Sequence, residues 1–218
     1  MNQHCVFCDI VAGVEPATVR YEDDEMIVFD NVLGWTRLML LAVPKQHKSQ
    51  TELWQHLGRV GRIASEQGRK YAPEGFRVLS NFGGFGMQSQ PHGHLHVLDG
   101  TEASLQVKRD SPVSTGDAVV EHGTELLRTD AALYFDASEL VSADLPLNAV
   151  AVPPEGRPTQ DDFWRDIHEL GEDAAAVGWS SSPNGFRLLA NFPSLEDGGY
   201  EERGHVQLMG GTFLGHYA

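Results

Sequence analysis

Compact apolar runs alternate along the chain with one longer stripe of apolar positions. Met26 to Phe29 and Leu38 to Val43 are short, partly β-branched runs closed by Asp30-Asn31 and by Pro44, which predicts two strands buried on at least one face. Ser49 with Glu52 makes a capping-box signature ahead of TELWQHLGRVGRIASEQGRKY. Within it Leu53, Trp54, Leu57, Val60, Ile63 and Ala64 recur three and four apart, so the spacing predicts one helix with a single apolar face. Pro73 and Gly75 end that helix, and Phe76 to Ser80 and His92 to Leu98 return to strand.

The same order then recurs. PEGFRVLSNF at 73–82 and PNGFRLLANF at 183–192 share seven of ten positions, and DEMIVFD, LLAVP and HGHLHVLDG have counterparts in DAALYFD, VAVP and RGHVQLMGG. The offset between copies drifts only from 106 to 111, as small loop insertions would produce. Thr159 and Asp162 start the second helix, with Phe163, Ile167, Leu170 and Ala174 as its stripe. RDSPVSTG at 109–116 has the composition of a linker. The expectation is an α+β chain of two similar domains, 1–109 and 110–218, each an antiparallel sheet with one main helix.

Composition narrows the class. The 218 residues are 41% hydrophobic and 22% charged, which suits a soluble globular protein. No apolar run has the length of a membrane span, and MNQHCVFCDI lacks the basic start and apolar stretch of a signal peptide, so a cytoplasmic protein is expected. A net charge of −15 argues against binding a nucleic acid polymer. Residues 1–109 carry 11 Lys+Arg against 12 Asp+Glu, whereas residues 110–218 carry 5 against 19. An anionic ligand is better received by the nearly neutral first half.

His92, His94 and His96 stand at period two, which on a strand puts three imidazoles on one surface. Taken alone they could be buried rings or a metal site. Cys5-x-x-Cys8 is equally open by itself: a redox pair, half of a metal site, or chance. The redox reading needs a helix start behind the first cysteine, and none is legible.

With CVFCDIVAG near the start, IVFDN at 27–31, LLAVPKQH at 40–47, NFGGFGMQSQPH at 81–92 and HGHLHVL, the chain resembles the histidine-triad (HIT) family of nucleotide hydrolases and transferases. The resemblance covers residues 4–100 and, through the repeat, more weakly 126–211. It implies that His94 is the nucleophile toward the α-phosphorus of a nucleotide. Asn81, Gln88, Ser89 and His96 match positions that bind or polarise phosphate oxygens, with Ser89 and His96 assisting the leaving group. Asp30 matches the carboxylate that receives the ribose hydroxyls. Gly83, Gly84 and Gly86 would let the backbone approach a phosphate. Cys5, Cys8, His47 and His92 would hold a structural zinc.

The implied activity is hydrolysis of a nucleotide phosphoramidate or phosphoanhydride through a nucleotidyl-histidine. The alternatives are a nucleotidyltransferase or dinucleoside polyphosphate phosphorylase, which His96 in place of Gln disfavours, and a non-catalytic nucleotide-binding module. Three positions depart from the family pattern: Met39 replaces a histidine of hydrolytic members, Met87 a glycine, and Gln90 an apolar residue. In the second copy Arg203, His205 and Gln207 replace the triad, Gly156 stands level with His47, and SLEDGGYEER brings acids to the phosphate position. That copy is expected to be inactive, serving as the other half of an intramolecular pseudo-dimer. Its tail, with Phe213, His216 and Tyr217, is a candidate to reach the first half's pocket.

Overall fold

The computed structural model describes residues 5–34, 36–99, 114–138, 145–195 and 201–214. The first half contains α1 (Val6–Val11), β1 (Val19–Glu22), β2 (Met26–Asp30), β3 (Met39–Pro44), α2 (Gln50–Trp54), α3 (Gly58–Tyr71), β4 (Gly75–Phe82) and β5 (Leu95–Asp99). The second repeats it with α4 (Thr115–His122), β6 (Glu125–Arg128), β7 (Leu133–Asp136), β8 (Leu147–Val152), α5 (Gln160–Trp164), α6 (His168–Ser181), β9 (Phe186–Pro193) and β10 (Val206–Gly210).

Each half was expected to bring its own antiparallel sheet to an intramolecular pseudo-dimer, and the two join into one sheet across the described residues. Its ten strands run β1-β2-β3-β5-β4-β9-β10-β8-β7-β6, antiparallel throughout, so the order reads alike from either edge. The join is the pairing of β4 with β9 from Gly75↔Pro193 to Phe82↔Phe186. Leu79 meets Leu189, its own counterpart in the repeat, at the middle of that seam. A strand left with open backbone groups at a sheet edge is satisfied by pairing, and here each copy closes the other's edge. Phe82 stacks on Phe186 with centroids 4.3 Å apart and Phe76 on Phe192 at 4.4 Å, which carries one hydrophobic core across both halves.

The helical stripe is buried as predicted, Leu53, Trp54, Leu57, Val60, Ile63 and Ala64 all belonging to the shared core. The single helix is not. It breaks at Gln55-His56-Leu57 into α2 and α3, and the second copy breaks likewise between α5 and α6. At the start of α3 a Cβ on Gly58 would overlap the His168 ring, so glycine lets the two helical layers approach closely. Two further helices, α1 and α4, and the edge strands β1 and β6 were not foreseen. The linker reading is corrected at its end: Ser114 caps α4 through the Asp117 N–H, and Thr115 and Gly116 lie in the helix. Residues 109–113, and with them the 109/110 boundary, lie outside the described residues. No helix among the described residues is long and apolar enough to cross a membrane.

Candidate active site

β5 begins at Leu95, so His92 and His94 sit in the segment leading into the strand rather than on it. What holds that segment is Gln50, the first residue of α2. Its Oε1 accepts the His94 backbone N–H at 3.1 Å, and its Nε2 donates to the His94 carbonyl at 3.0 Å and to Ser80 Oγ at 2.8 Å. Gln160 clamps His205 in the same way at 2.8 and 3.3 Å. Neither glutamine was singled out from sequence, although each directly follows the capping residue of its helix in both repeats.

The donors and acceptors fix the tautomers. His94 Nδ1 lies 2.8 Å from the His92 carbonyl, which only accepts, so Nδ1 carries the proton and Nε2 the lone pair. His94 Nε2 in turn lies 3.1 Å from His96 Nε2, so His96 supplies the N–H of that contact. Burial pushes His94 down to about 4, and burial, then His94 and Arg187, holds His96 well below the ordinary imidazole value. Both rings are neutral at pH 7. The first triad residue is placed differently, since His92 does not face the cavity and its ring serves the cysteine cluster.

A cavity of about 600 Å³ opens before the pair. Its wall brings together Asp30, Ser89, His94 and His96, with Gln90 beside them and an apolar lining that includes Phe7, Ile10, Phe29 and Leu33. Phe7 meets the His94 ring edge to face at 5.2 Å. Both Asp30 oxygens are engaged by Arg20, at 2.7 Å each. Asn81 and Gln88 are not on the wall. Asn81 Oδ1 accepts from Arg187 Nε at 2.8 Å, and Gln88 braces its own loop by accepting from the Gly83 N–H and donating to the Gln90 carbonyl.

Gly83 and Gly86 of that loop pack against protein, while Gly84 is exposed. A Cβ on Gly86 would collide with the carbonyls of Phe82 and Phe186, and the Phe85 N–H donates to the Asn184 carbonyl at 2.9 Å. The tail does reach this loop, through the Leu214 N–H to the Phe85 carbonyl at 2.9 Å. Phe213 is exposed, and His216 and Tyr217 lie outside the described residues. Met87, the departure from glycine, takes φ +65°, the left-handed conformation that glycine adopts without strain.

Cys5, Cys8, His47 and His92 converge, with one ligand atom of each lying within 4.8 Å of all the others. Cys8 Sγ is 3.2 Å from His47 Nδ1, and His92 Nδ1 is 3.5 and 3.6 Å from the two sulfurs. His92 Nε2 lies 2.9 Å from the Pro44 carbonyl, which places its proton there and turns the Nδ1 lone pair to the cluster. That outer contact is how metal-binding imidazoles are oriented, and two thiols with two imidazoles suit a tetrahedral ion. The sequence reading is corrected on one point: a helix does start directly behind Cys5, which is the N-cap of α1. Yet burial and the neighbouring Cys5 push the Cys8 thiol up to about 11, opposite to the activation of a redox cysteine.

The second copy fills the equivalent places with charge. Ser114 precedes α4 as Cys5 precedes α1, and Asp117 follows three residues on, as Cys8 does. Arg157, rather than the Gly156 matched from sequence, grips Asp117 at 2.6 Å, and the Arg203 N–H donates to Ser114 Oγ at 3.0 Å. His205 keeps the Nδ1 contact to the carbonyl two residues back, at 2.9 Å, but Glu202 stands 3.4 Å from the same nitrogen. Burial alone would lower His205, and Glu202 overrides it and raises the imidazole. Among the described residues His205 Nε2 is buried without a hydrogen-bond partner, and Gln207 is spent on Asn148 at 2.9 Å.

Residues 4–110 match a family model described as the scavenger mRNA decapping enzyme C-terminal binding domain. Protein HitA of Neisseria gonorrhoeae is 34% identical over 104 residues, which span 44% of this chain and 94% of that protein. A 14 kDa zinc-binding protein of Brassica juncea is 31% identical over 108 residues, 44% of this chain and 93% of that one. Adenylylsulfatase HINT1 of Arabidopsis thaliana is 30% identical over 108 residues, 44% of this chain and 71% of its own. The family model thus covers the half that holds the neutral pair and the Cys-His cluster, HitA and the zinc-binding protein are matched over more than nine-tenths of their length, and on that kinship the chain belongs to the histidine-triad family.

Proposed function

We propose that the protein hydrolyses a phosphoramidate or phosphoanhydride bond of a nucleotide through a nucleotidyl-His94 intermediate. The observation that carries this is the 3.1 Å contact of two buried, neutral imidazoles at a cavity wall that also holds a carboxylate and apolar side chains. His94 Nε2 bonds to the α-phosphorus, and the bond to the leaving group breaks with its electron pair on that group, which takes a proton from solvent if it is an amine. The His92 carbonyl faces the positive charge that develops on the ring. His96 Nε2–H, freed from His94, donates to a phosphoryl oxygen, and Ser89 lies at the same wall. Water then attacks phosphorus, the P–N bond returns its electrons to His94, and the surplus proton goes to solvent.

Asp30 would receive the ribose hydroxyls once Arg20 yields, and the apolar wall would hold the base. The relative named an adenylylsulfatase supports a nucleotide anhydride as substrate class. Cys5, Cys8, His47 and His92 would hold zinc, a closed structural ion that anchors the segment carrying His94; a relative named for zinc binding supports it. Residues 1–109 form the working unit and 110–218 a degenerate partner in an intramolecular pseudo-dimer. The test is turnover of nucleoside phosphoramidates and dinucleoside polyphosphates by wild type and His94→Asn, with and without added phosphate. Loss of hydrolysis in the variant is expected. Equal turnover would overturn the reading, and a phosphorylated product formed only with phosphate present would replace it by the phosphorylase.

A further inference from the structure

Arg187 belongs to the second repeat, yet its Nε–H is given to the first. On β9 it stands opposite Asn81 of β4, it is 1% exposed, and its Nε–H donates to Asn81 Oδ1 at 2.8 Å. Asn81 lies two residues along β4 from Leu79, the partner of His96 on β5. Asn81 is therefore on the face of β4 that sets Leu79 beside His96, one step further toward the segment that carries His94. Across the seam Asn81 and Arg187 stand side by side at that end of β5.

An asparagine amide has one accepting and one donating end, and a guanidinium can only donate. Arg187 thus takes the oxygen end of Asn81 and excludes the flipped amide, so the NH₂ group is turned away from β9. The repeat supplies its own comparison. Arg77 Nε donates to Asn191 Oδ1, also at 2.8 Å and in matching register, and Arg77 is 3% exposed. That pair serves the second copy, where His205 is tied to Glu202 and Gln207 stands for His96.

We propose that Arg187 is a positioning residue for the first repeat's reaction, turning the donor end of Asn81 toward the phosphate that reacts at His94. The degenerate repeat then completes the working site across the β4–β9 seam. The inference rests on the nucleotidyl-histidine reading above. It also gives the second copy a reason to keep its arginine after losing its own triad.

The experiment compares Arg187→Met, Arg77→Met, Asn81→Ala and the Arg187→Met/Asn81→Ala double variant by kcat, KM and Tm on a nucleoside phosphoramidate. Both arginine variants lower Tm, because each removes a buried hydrogen-bonded cation. Arg187→Met is expected to lower kcat by about 10- to 100-fold with KM changed by less than about threefold, as loss of positioning does. Arg77→Met stays within about twofold of wild-type kcat, since its pair lies in the second copy. The double variant falls no further than Asn81→Ala, because Arg187 acts through that amide. Equal kcat in the two arginine variants, or additive losses in the double variant, would overturn the proposal. If Arg187→Met does not fold, Arg187→Gln, which retains an amide donor for Asn81, should give an intermediate kcat, and wild-type kcat would count against it. A dead His94→Asn beside an active Arg187→Met defeats this inference alone, whereas an active His94→Asn defeats the reading beneath it.

Discussion

The carbonyl of His92 accepts the Nδ1–H of His94 at 2.8 Å while the ring of the same His92 stands among Cys5, Cys8 and His47. The candidate metal cluster is therefore one residue's backbone away from the tautomer that frees the His94 lone pair. Cys8→Ser, or removal of metal by a chelator, should lower bound zinc from one per chain toward none and lower Tm. It should also lower kcat by roughly 10- to 100-fold, the usual cost of disturbing such outer contacts. Metal analysis with kinetics on the same sample checks this; full activity in metal-free protein would separate the cluster from the site.

Arg20 occupies both oxygens of Asp30, with the two side chains 37% and 31% exposed. An ion pair this open is worth about 1 kcal/mol at most, so a ribose diol can displace it. Arg20→Ala should lower KM for ribonucleotide substrates by up to about fivefold and leave 2′,3′-dideoxy substrates unchanged, while Asp30→Asn should raise KM for the ribonucleotides only. Steady-state kinetics on the paired substrates decides it.

Met87 holds φ +65° in the loop before Gln88. Replacing it with glycine removes the clash of a Cβ in that conformation, offset in part by a freer unfolded chain. The expected gain is about 0.5–1 kcal/mol, or roughly 1–4 °C in Tm for a chain of this size, read by thermal unfolding. An unchanged or lower Tm would mean that Met87 packing outweighs the strain.

The buried pair of the second copy sets a pH dependence of stability. Glu202, whose burial is overridden by His205, backbone and Ser114 contacts, is held below the usual carboxylate range, and His205 is raised. Glu202 contributes stability above its unfolded pKa of about 4.3, lost as pH falls through its lowered folded value. His205 contributes below its unfolded pKa of about 6.5, lost as pH rises through its raised folded value. Between these limits both are charged, and stability peaks. Wild-type Tm should fall from pH 6 to pH 9 more steeply than that of His205→Gln, whose hydrolytic rate should match wild type. Parallel Tm curves would contradict the ion pair, and lost hydrolysis would contradict an inert second copy.

How much of this the sequence disclosed follows from the range of the forces involved. Local patterns were legible: the Ser49 cap with its Glu52 box, the runs of β2 and β3, the buried stripe from Leu53 to Ala64, and the repeat itself. What depended on the other half was not. The edge strands β1 and β6 are four-residue, mostly exposed segments without an apolar period. The break before Gly58, the packing of Gly86 on the Phe186 carbonyl, and the engagement of Asn81 by Arg187 all arise where two copies meet. Period two predicted three histidines on one surface, whereas His94 and His96 line the cavity and His92 joins the cysteines and His47, the place that the resemblance implied for it.

The most direct measurement is mass spectrometry of the protein quenched during turnover of a nucleoside phosphoramidate. A nucleotidyl adduct on the His94-containing peptide, labile to acid and absent from His94→Asn, is the predicted result. Turnover with no adduct at any time point, and the same rate in His94→Asn, would contradict the account.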